Sequence, residues 1–434
     1  MNRKILNLAL PAIVSNITVP LLGLVDVAIV GHLGAAAYIG AIAVGGMLFN
    51  MIYWLFGFLR MGTSGLTSQA YGKRDFQESV RVLYRAFGVA MAFSFALVVL
   101  QWPIRWVAFR VMEMTPAVAQ LASVYFHICV WGAPAVLGLY ALSGWFIGMQ
   151  NSRIPMVVAI VQNVVNIVSS LVLVYGFGLK VDGVAWGTLI AQYAGCGLAV
   201  WFAWYYYRRF REGVAWHDVF LPERLRRFFA VNRDIFLRTL CLVAVTVYFT
   251  SAGARQGEVI LAVNTLLMQL FTLFSYIMDG YAYAGEALAG RYIGAGRPDT
   301  LRQFIRMLFR WGWGIAGLFT VLYALGGEAF LGLLTNDSRV LQAASDYFYW
   351  VLLIPAAGFS AFLWDGIYIG ATATRQMLLS MVVSSVSFFV VFFSLRWHLG
   401  NHALWLAFIL YLFLRGVVEQ LLAGAIYTMT TRSP

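Results

Sequence analysis

A chain of 434 residues would ordinarily make two or three soluble domains, but only 11% of these residues are charged and 62% are hydrophobic, against a usual charged share of about 25%. So few charges cannot cover that much apolar surface in water, which excludes a water-soluble body and leaves a polytopic membrane protein. The excess of 30 Lys and Arg over 18 Asp and Glu, a net charge of +12, then reads as membrane topology and not as a nucleic-acid footprint.

Stretches of roughly 20 mostly apolar residues, long enough to cross hydrocarbon as a helix, recur twelve times. They lie at 5–30, 36–69, 82–108, 117–147, 154–176, 183–207, 234–252, 258–286, 303–325, 341–368, 376–395 and 402–427. An open sheet edge has no partner in lipid and these runs are too long for barrel strands, so the expected class is all-α. Arg3 and Lys4 precede a first run that continues past twenty residues with no small-residue cleavage site, which reads as a retained span. With the N-terminus inside, only Arg105, Arg110, Lys180, Arg255, Arg339 and Arg396 fall outside, while Arg60, Arg238 and Arg415 lie within spans and the remaining basic residues, Arg432 among them, are inside. The positive-inside rule therefore puts both termini in the cytoplasm. The stretch 208–233, with "RRFREGVAWHDVFLPERLRRF", separates two sets of six spans. The expected organisation is an N-lobe at 1–207, a linker at 208–233 and a C-lobe at 234–434. The linker's basic residues can grip anionic headgroups, although any inside loop is expected to be basic.

Polar groups within the spans each need an account, because a carboxylate in hydrocarbon costs about 2.5–3.5 kcal/mol or more. Pro11 and Pro20 interrupt the first span and permit a bend. Asp26 follows a chargeless stretch from 5 to 25 and lies about 30 Å along the helix, in its outer half, facing a wet cavity. A carboxyl group withdrawn from water can bind and release a proton near neutral pH. In the fifth span Asn163, Asn166 and Ser170 form one stripe at i, i+3 and i+7, and in the sixth Thr188 and Gln192 stand at i, i+4. These read either as cavity lining around Asp26 or as interhelical glue. Asp279 and Glu286 share a face of the eighth span, and Asp365 ends the tenth. Asp279 and Glu286 are candidates for transport or for a structural lock with Arg60, Arg238 or Arg291, and Asp365 for transport, ion binding or bracing of the C-lobe. Glu419 follows Arg415 by one turn, a pair able to neutralise itself. Cys129, Cys196 and Cys241 have no paired spacing, His127 is alone in its span, and His398 and His402 sit at an outer loop. No catalytic site and no metal site is expected from these.

Sliding the second half on the first by 222 residues aligns Gly72 with Gly294, Gly148 with Gly370 and Arg153 with Arg375, and "RVLYR" at 81–85 meets "RMLFR" at 306–310 at an offset of 225. Such ordered matches mark an internal repeat. Each half holds an even number of spans, so the two six-helix lobes should share one orientation and be related by a pseudo-two-fold axis along the membrane normal. The intramembrane carboxylates have no acidic repeat mates, which points to lobes of diverged function.

The strings "VDVAIVGHLG" at 25–34, "FLRMGTSGLTSQAYG" at 58–72, "VNRDIFLRT" at 231–239, "MDGYAYAGEALAG" at 278–290, "DGIYIGAT" at 365–372 and "LGNHALWLA" at 399–407 resemble the multidrug and toxic compound extrusion (MATE) family, and within it the DNA-damage-inducible protein F subfamily. The resemblance covers nearly the whole chain. It implies that Asp26, with Gly31, is the proton-coupling carboxylate of the N-lobe, that Asn163, Asn166 and Thr188 belong to its hydrogen-bonded cluster, and that Pro11 marks a bend in the first helix. Ser170 departs from the Asp that relatives often carry there, which points to Asp26 working alone. Sodium-coupled relatives hold an acid in the seventh helix, and 235–252 has none, although Asp365 leaves a sodium site open. The implied activity is efflux of amphipathic, often cationic compounds across a bacterial inner membrane in exchange for protons, by a monomer in the lipid bilayer with no cofactor and no nucleic-acid partner. A flippase for a lipid or lipid-linked glycan, which would need a cationic cavity, is the alternative.

Overall fold

A computed structural model describes residues 1–32, 36–112, 114–212, 214–335 and 337–431; Leu33 and Gly34 of the first family string, and Arg432, lie outside them. Among the described residues there are sixteen α-helices and no strand: α1 (Asn2–Gly31), α2 (Ala36–Leu55), α3 (Phe58–Gly72), α4 (Phe76–Val99), α5 (Gln101–Val111), α6 (Pro116–Cys129), α7 (Ala133–Gly148), α8 (Arg153–Leu171), α9 (Val181–Tyr207), α10 (Pro222–Ala254), α11 (Glu258–Gly294), α12 (Pro298–Leu334), α13 (Ser338–Ala371), α14 (Thr374–Leu399), α15 (Asn401–Leu422) and α16 (Gly424–Thr431). Twelve of the continuous or nearly continuous helices are long and apolar enough to cross a membrane.

Several of the expected spans differ in their bounds, the third and the seventh among them. The third breaks at Leu100, beyond which α5 buries none of its residues and Arg105 and Arg110 lie over the rings of Trp102 and Trp106, at 4.7 and 4.5 Å. That pairing of cation and indole suits a membrane–water interface. The seventh begins at Pro222, twelve residues before the expected 234, because hydropathy ends at the first charges whereas helical backbone bonding continues through Arg, Glu and Leu.

The chain divides into two compact units, Val14–Phe228 and Met1–Ile13 together with Phe229–Pro434. The first unit is organised by α3 against α7. A Cβ on Gly144 would come 2.2 Å from the Arg60 carbonyl oxygen, and one on Gly148 would come 2.8 Å from that of Ser64. Two glycines four apart thus let one backbone lie on the other, where dispersion and close packing hold helices that gain nothing from hydrophobicity in lipid. Next to them Trp145 is fully buried and donates from Nε1 to the Ser79 carbonyl at 2.9 Å.

The second unit repeats the crossing. Gly366 and Gly370 stand on α13 where a Cβ would meet the Ala282 and Glu286 carbonyl oxygens of α11 at 2.2 and 2.5 Å. The sequence repeat is therefore a repeated close crossing of helices. The start of α1 also belongs to this unit, with Gly280 of α11 admitting the Ala9 carbonyl oxygen at 2.9 Å from its absent Cβ and Trp311 Nε1 donating to Asn2 Oδ1 at 3.3 Å.

These units differ from the expected lobes in two places. The division within α1 falls two residues after Pro11. The expected linker is not a free connection, since most of it packs into the first unit. Phe210 stacks on Phe76 at 4.5 Å, Trp216 stacks on Tyr84 at 4.9 Å, and Arg85 Nε donates to the Val219 carbonyl at 2.8 Å.

Candidate functional site

In the first unit, α1, α8 and α9 bring the N-lobe candidates together. Asp26 is 5% exposed and Asn166 and Ser170 are fully buried. The Thr188 side chain lies beside the Asp26 carboxylate, and its hydroxyl accepts from Asn166 Nδ2 at 3.1 Å, so polar groups of α8 and α9 gather at the acid of α1. Asn163 does not join them; its Nδ2 donates to the Thr18 carbonyl at 2.9 Å and ties α8 to α1 two turns before the acid.

Small residues make the space. A Cβ on Gly187 would lie 2.2 Å from Ser170 Oγ, and one on Gly132 would lie 1.7 Å from Gln192 Oε1. Asp26 Oδ1, Asn166 Oδ1, Ser170 Oγ, Gln192 Oε1 and the Tyr53 hydroxyl are all buried without a hydrogen-bond partner. Native interiors satisfy nearly all such groups, and these oxygens are free to accept a hydrogen bond from water or from a bound polar group. Tyr125 and Cys129 of α6 face Asp26 as well, and Gly45 makes way for the Tyr125 ring, its absent Cβ being 2.4 Å from Cδ1. Tyr53, Tyr125 and Cys129 were not legible as site residues, because an aromatic or a lone cysteine in an apolar helix has the pattern of core.

In the second unit Asp365 is the centre. Arg238 from α10 and Arg415 from α15 both donate to its Oδ2, and the Glu419 carboxyl lies close by. All four are less than a tenth exposed. The expected pairing of Arg415 with Glu419 along one helix is thus replaced by a pairing across helices, since Asp365 presents one oxygen to two guanidinium groups at once. The same geometry takes Arg238 away from Asp279 and Glu286. Asp279 is half-buried beside Gly280, where the start of α1 crosses α11, and Glu286 is buried at the crossing with Gly370. A second buried polar set lies elsewhere in this unit, where Asn264 and Asn401 exchange amide hydrogen bonds at 2.8 and 2.9 Å and Trp405 Nε1 donates to Asn264 Oδ1 at 2.9 Å.

Pro11 and Pro20 sit within α1, which stays helical through both. Among the described residues no group of three or more His, Cys, Asp or Glu could hold a metal ion.

The family model MatE matches residues 11–172 and 235–394, one match in each half of the repeat. The chain belongs to the MatE family. It is a multi-pass MATE-family membrane transporter of twelve spans. DNA damage-inducible protein F of Escherichia coli is 39% identical over 96% of this MatE chain and 90% of its own length. A probable multidrug resistance protein NorM of Rhizobium meliloti is 25% identical over 94% and 90%. In fold, the chain superposes on a crystal structure of MATE in the bent conformation with a TM-score of 0.87 at 18% identity, covering 99% of this chain and 97% of that one. The straight conformation gives 0.86 at the same identity.

Proposed function

We propose that this MATE-family transporter exports amphipathic, often cationic compounds in exchange for protons, with Asp26 as the coupling carboxylate. The observation that carries this reading is the buried Asp26 beside the hydrogen-bonded pair Thr188 and Asn166, accompanied by unpartnered oxygens of Asn166, Ser170 and Gln192. A carboxyl group in such surroundings can be satisfied by a proton or by a cationic or hydrogen-bonding substrate. Mutual exclusion at one acid is enough to couple the two fluxes. One proton entering down about 100 mV supplies about 2.3 kcal/mol.

Proton coupling is favoured over sodium because Asp365, the acid that leaves a sodium site open, already receives two guanidinium groups, and a sodium ion would have to displace one of them. The same pairing weighs against a flippase, since Arg238 and Arg415 would have to serve a lipid phosphate. The transporter acts as a monomer in a bacterial inner membrane with both termini in the cytoplasm, and with neither a cofactor nor a nucleic-acid partner. The relatives named for multidrug resistance support the substrate class.

The test is uptake of a fluorescent cationic dye by proteoliposomes, with pH and sodium gradients imposed separately on wild type and Asp26→Asn. Uptake driven by pH alone and lost in a folded Asp26→Asn protein is expected. Uptake driven by sodium and indifferent to the substitution would overturn the proposal.

A further inference from the structure

We infer that the cytoplasmic end of the first unit carries a binding site for a phosphate group bearing an organic substituent, enclosed between the α3–α4 turn and the first turns of α10. The site is a cavity of about 280 Å³, near the lower end of ligand-pocket sizes. Lys73, Arg85, Arg224 and Arg227 line it, with Asp75 and Glu78 as its only acids, leaving two positive charges in excess.

Those acids are already engaged. Asp75 Oδ1 caps α4 by accepting from the Glu78 backbone N–H at 2.9 Å, and Glu78 is shared by Arg81, Arg85 and Arg224. Arg85 is the group that calls for a ligand. It is 2% exposed, its Nε donates to the Val219 carbonyl, and its Nη2 is buried with no acceptor at all. A buried guanidinium nitrogen left unpaired is costly. An anion in the cavity would satisfy it with a charge-assisted hydrogen bond, and guanidinium and ammonium groups together favour phosphate. The apolar part of the lining, Leu66, Ala70, Val82 and Phe228, suits an organic substituent better than a bare ion.

The internal repeat argues against mere scaffold. The mate of Arg85 at the 225-residue offset is Arg310, which is exposed, and the mate of Glu78 is Gln303, also exposed. Only the first unit covers its arginine. A positive-inside bias explains why the segment is basic; it does not explain a buried, half-satisfied guanidinium facing a cavity.

Two sources share this chemistry, the glycerophosphate headgroup of an anionic lipid and a soluble phosphate ester. The full chain in nanodiscs of phosphatidylcholine, alone or mixed with phosphatidylglycerol, separates them when its thermal melting is followed by tryptophan fluorescence. Glycerol 3-phosphate is titrated into the phosphatidylcholine discs against chloride at equal ionic strength. Binding to the folded state raises the melting temperature saturably. A rise with phosphatidylglycerol only assigns the site to lipid, and a rise with glycerol 3-phosphate assigns it to a soluble ester.

In either arm the double variant Lys73→Gln with Arg227→Gln, exposed residues that take no part in the Glu78 ion pairs, should weaken the response by at least about tenfold. Arg85→Lys, which keeps the charge and removes Nη2, should weaken it as well. No rise beyond that given by chloride, or a double variant that responds like wild type, would overturn the inference.

Discussion

Asp365→Asn is the substitution that best separates bracing from transport in the second unit. The wild-type carboxylate receives Arg238 and Arg415 on one oxygen, all three side chains being less than a tenth exposed. An amide keeps the shape but removes the charge, leaving two buried guanidinium groups with only Glu419 nearby. Breaking a buried ion pair by removing one partner costs about 3–5 kcal/mol. In a unit of this size each kcal/mol shifts the melting temperature by about 2–4 °C, so the loss should be on the order of 10 °C for purified protein in detergent, read by tryptophan fluorescence.

The compensating change is equally informative. Arg238→Met together with Asp365→Leu removes one cation along with the anion and leaves Arg415 one turn from Glu419, so it should recover much of the loss, as apolar replacement of a buried pair often does. A single variant that melts within about 2 °C of wild type, or a double variant less stable than the single, would refute the reasoning that Asp365 braces this unit.

Gly144→Ala and Gly366→Ala place a methyl group 2.2 Å from a carbonyl oxygen of the facing helix, and each should cost about 1–3 kcal/mol by overpacking, visible as equal losses of melting temperature in the two repeats; a pair of neutral outcomes would show that the crossings are loose. Asn264→Leu deprives Asn401 Nδ2 and Trp405 Nε1 of their acceptor, at about 1–3 kcal/mol for each donor left unpaired, and Asn401→Leu added to it should cost less than the sum of the two singles in a double-mutant cycle. Thr188→Val removes the hydroxyl that accepts from Asn166 beside Asp26 and should slow pH-driven dye uptake, whereas Thr188→Ser should retain it; equal rates in the two variants would remove Thr188 from the site.

Much was legible in the sequence because lipid imposes simple rules. Hydrocarbon thickness sets the length of a span, unsatisfied backbone is excluded from lipid, and twelve apolar stretches therefore announced twelve helices. The repeat was legible because both halves must cross helices at glycine, and a glycine replaced at such a crossing has nowhere to put its Cβ. Asp26, Asn166 and Thr188 were legible as polar residues in apolar company.

Pairing across helices was not legible. Arg415 has Glu419 one turn away in sequence, yet it reaches Asp365, because a buried charge is satisfied by whatever the packing presents and sequence spacing reports only one helix at a time. Tyr53, Tyr125 and Cys129 carry no polarity signal that separates them from core. Hydropathy placed the charged segment after α9 between the lobes, and only the tertiary structure folded it back on α4, where Phe76, Tyr84 and Arg85 hold it. The division of α1 just after Pro11 likewise follows from which side chains the two parts of that helix meet. The sequence by itself determined class, span number and which residues are chemically unusual, because these depend on local composition against a fixed solvent. Partnership, burial and cavities depend on contacts between distant segments, and the tertiary structure alone decided them.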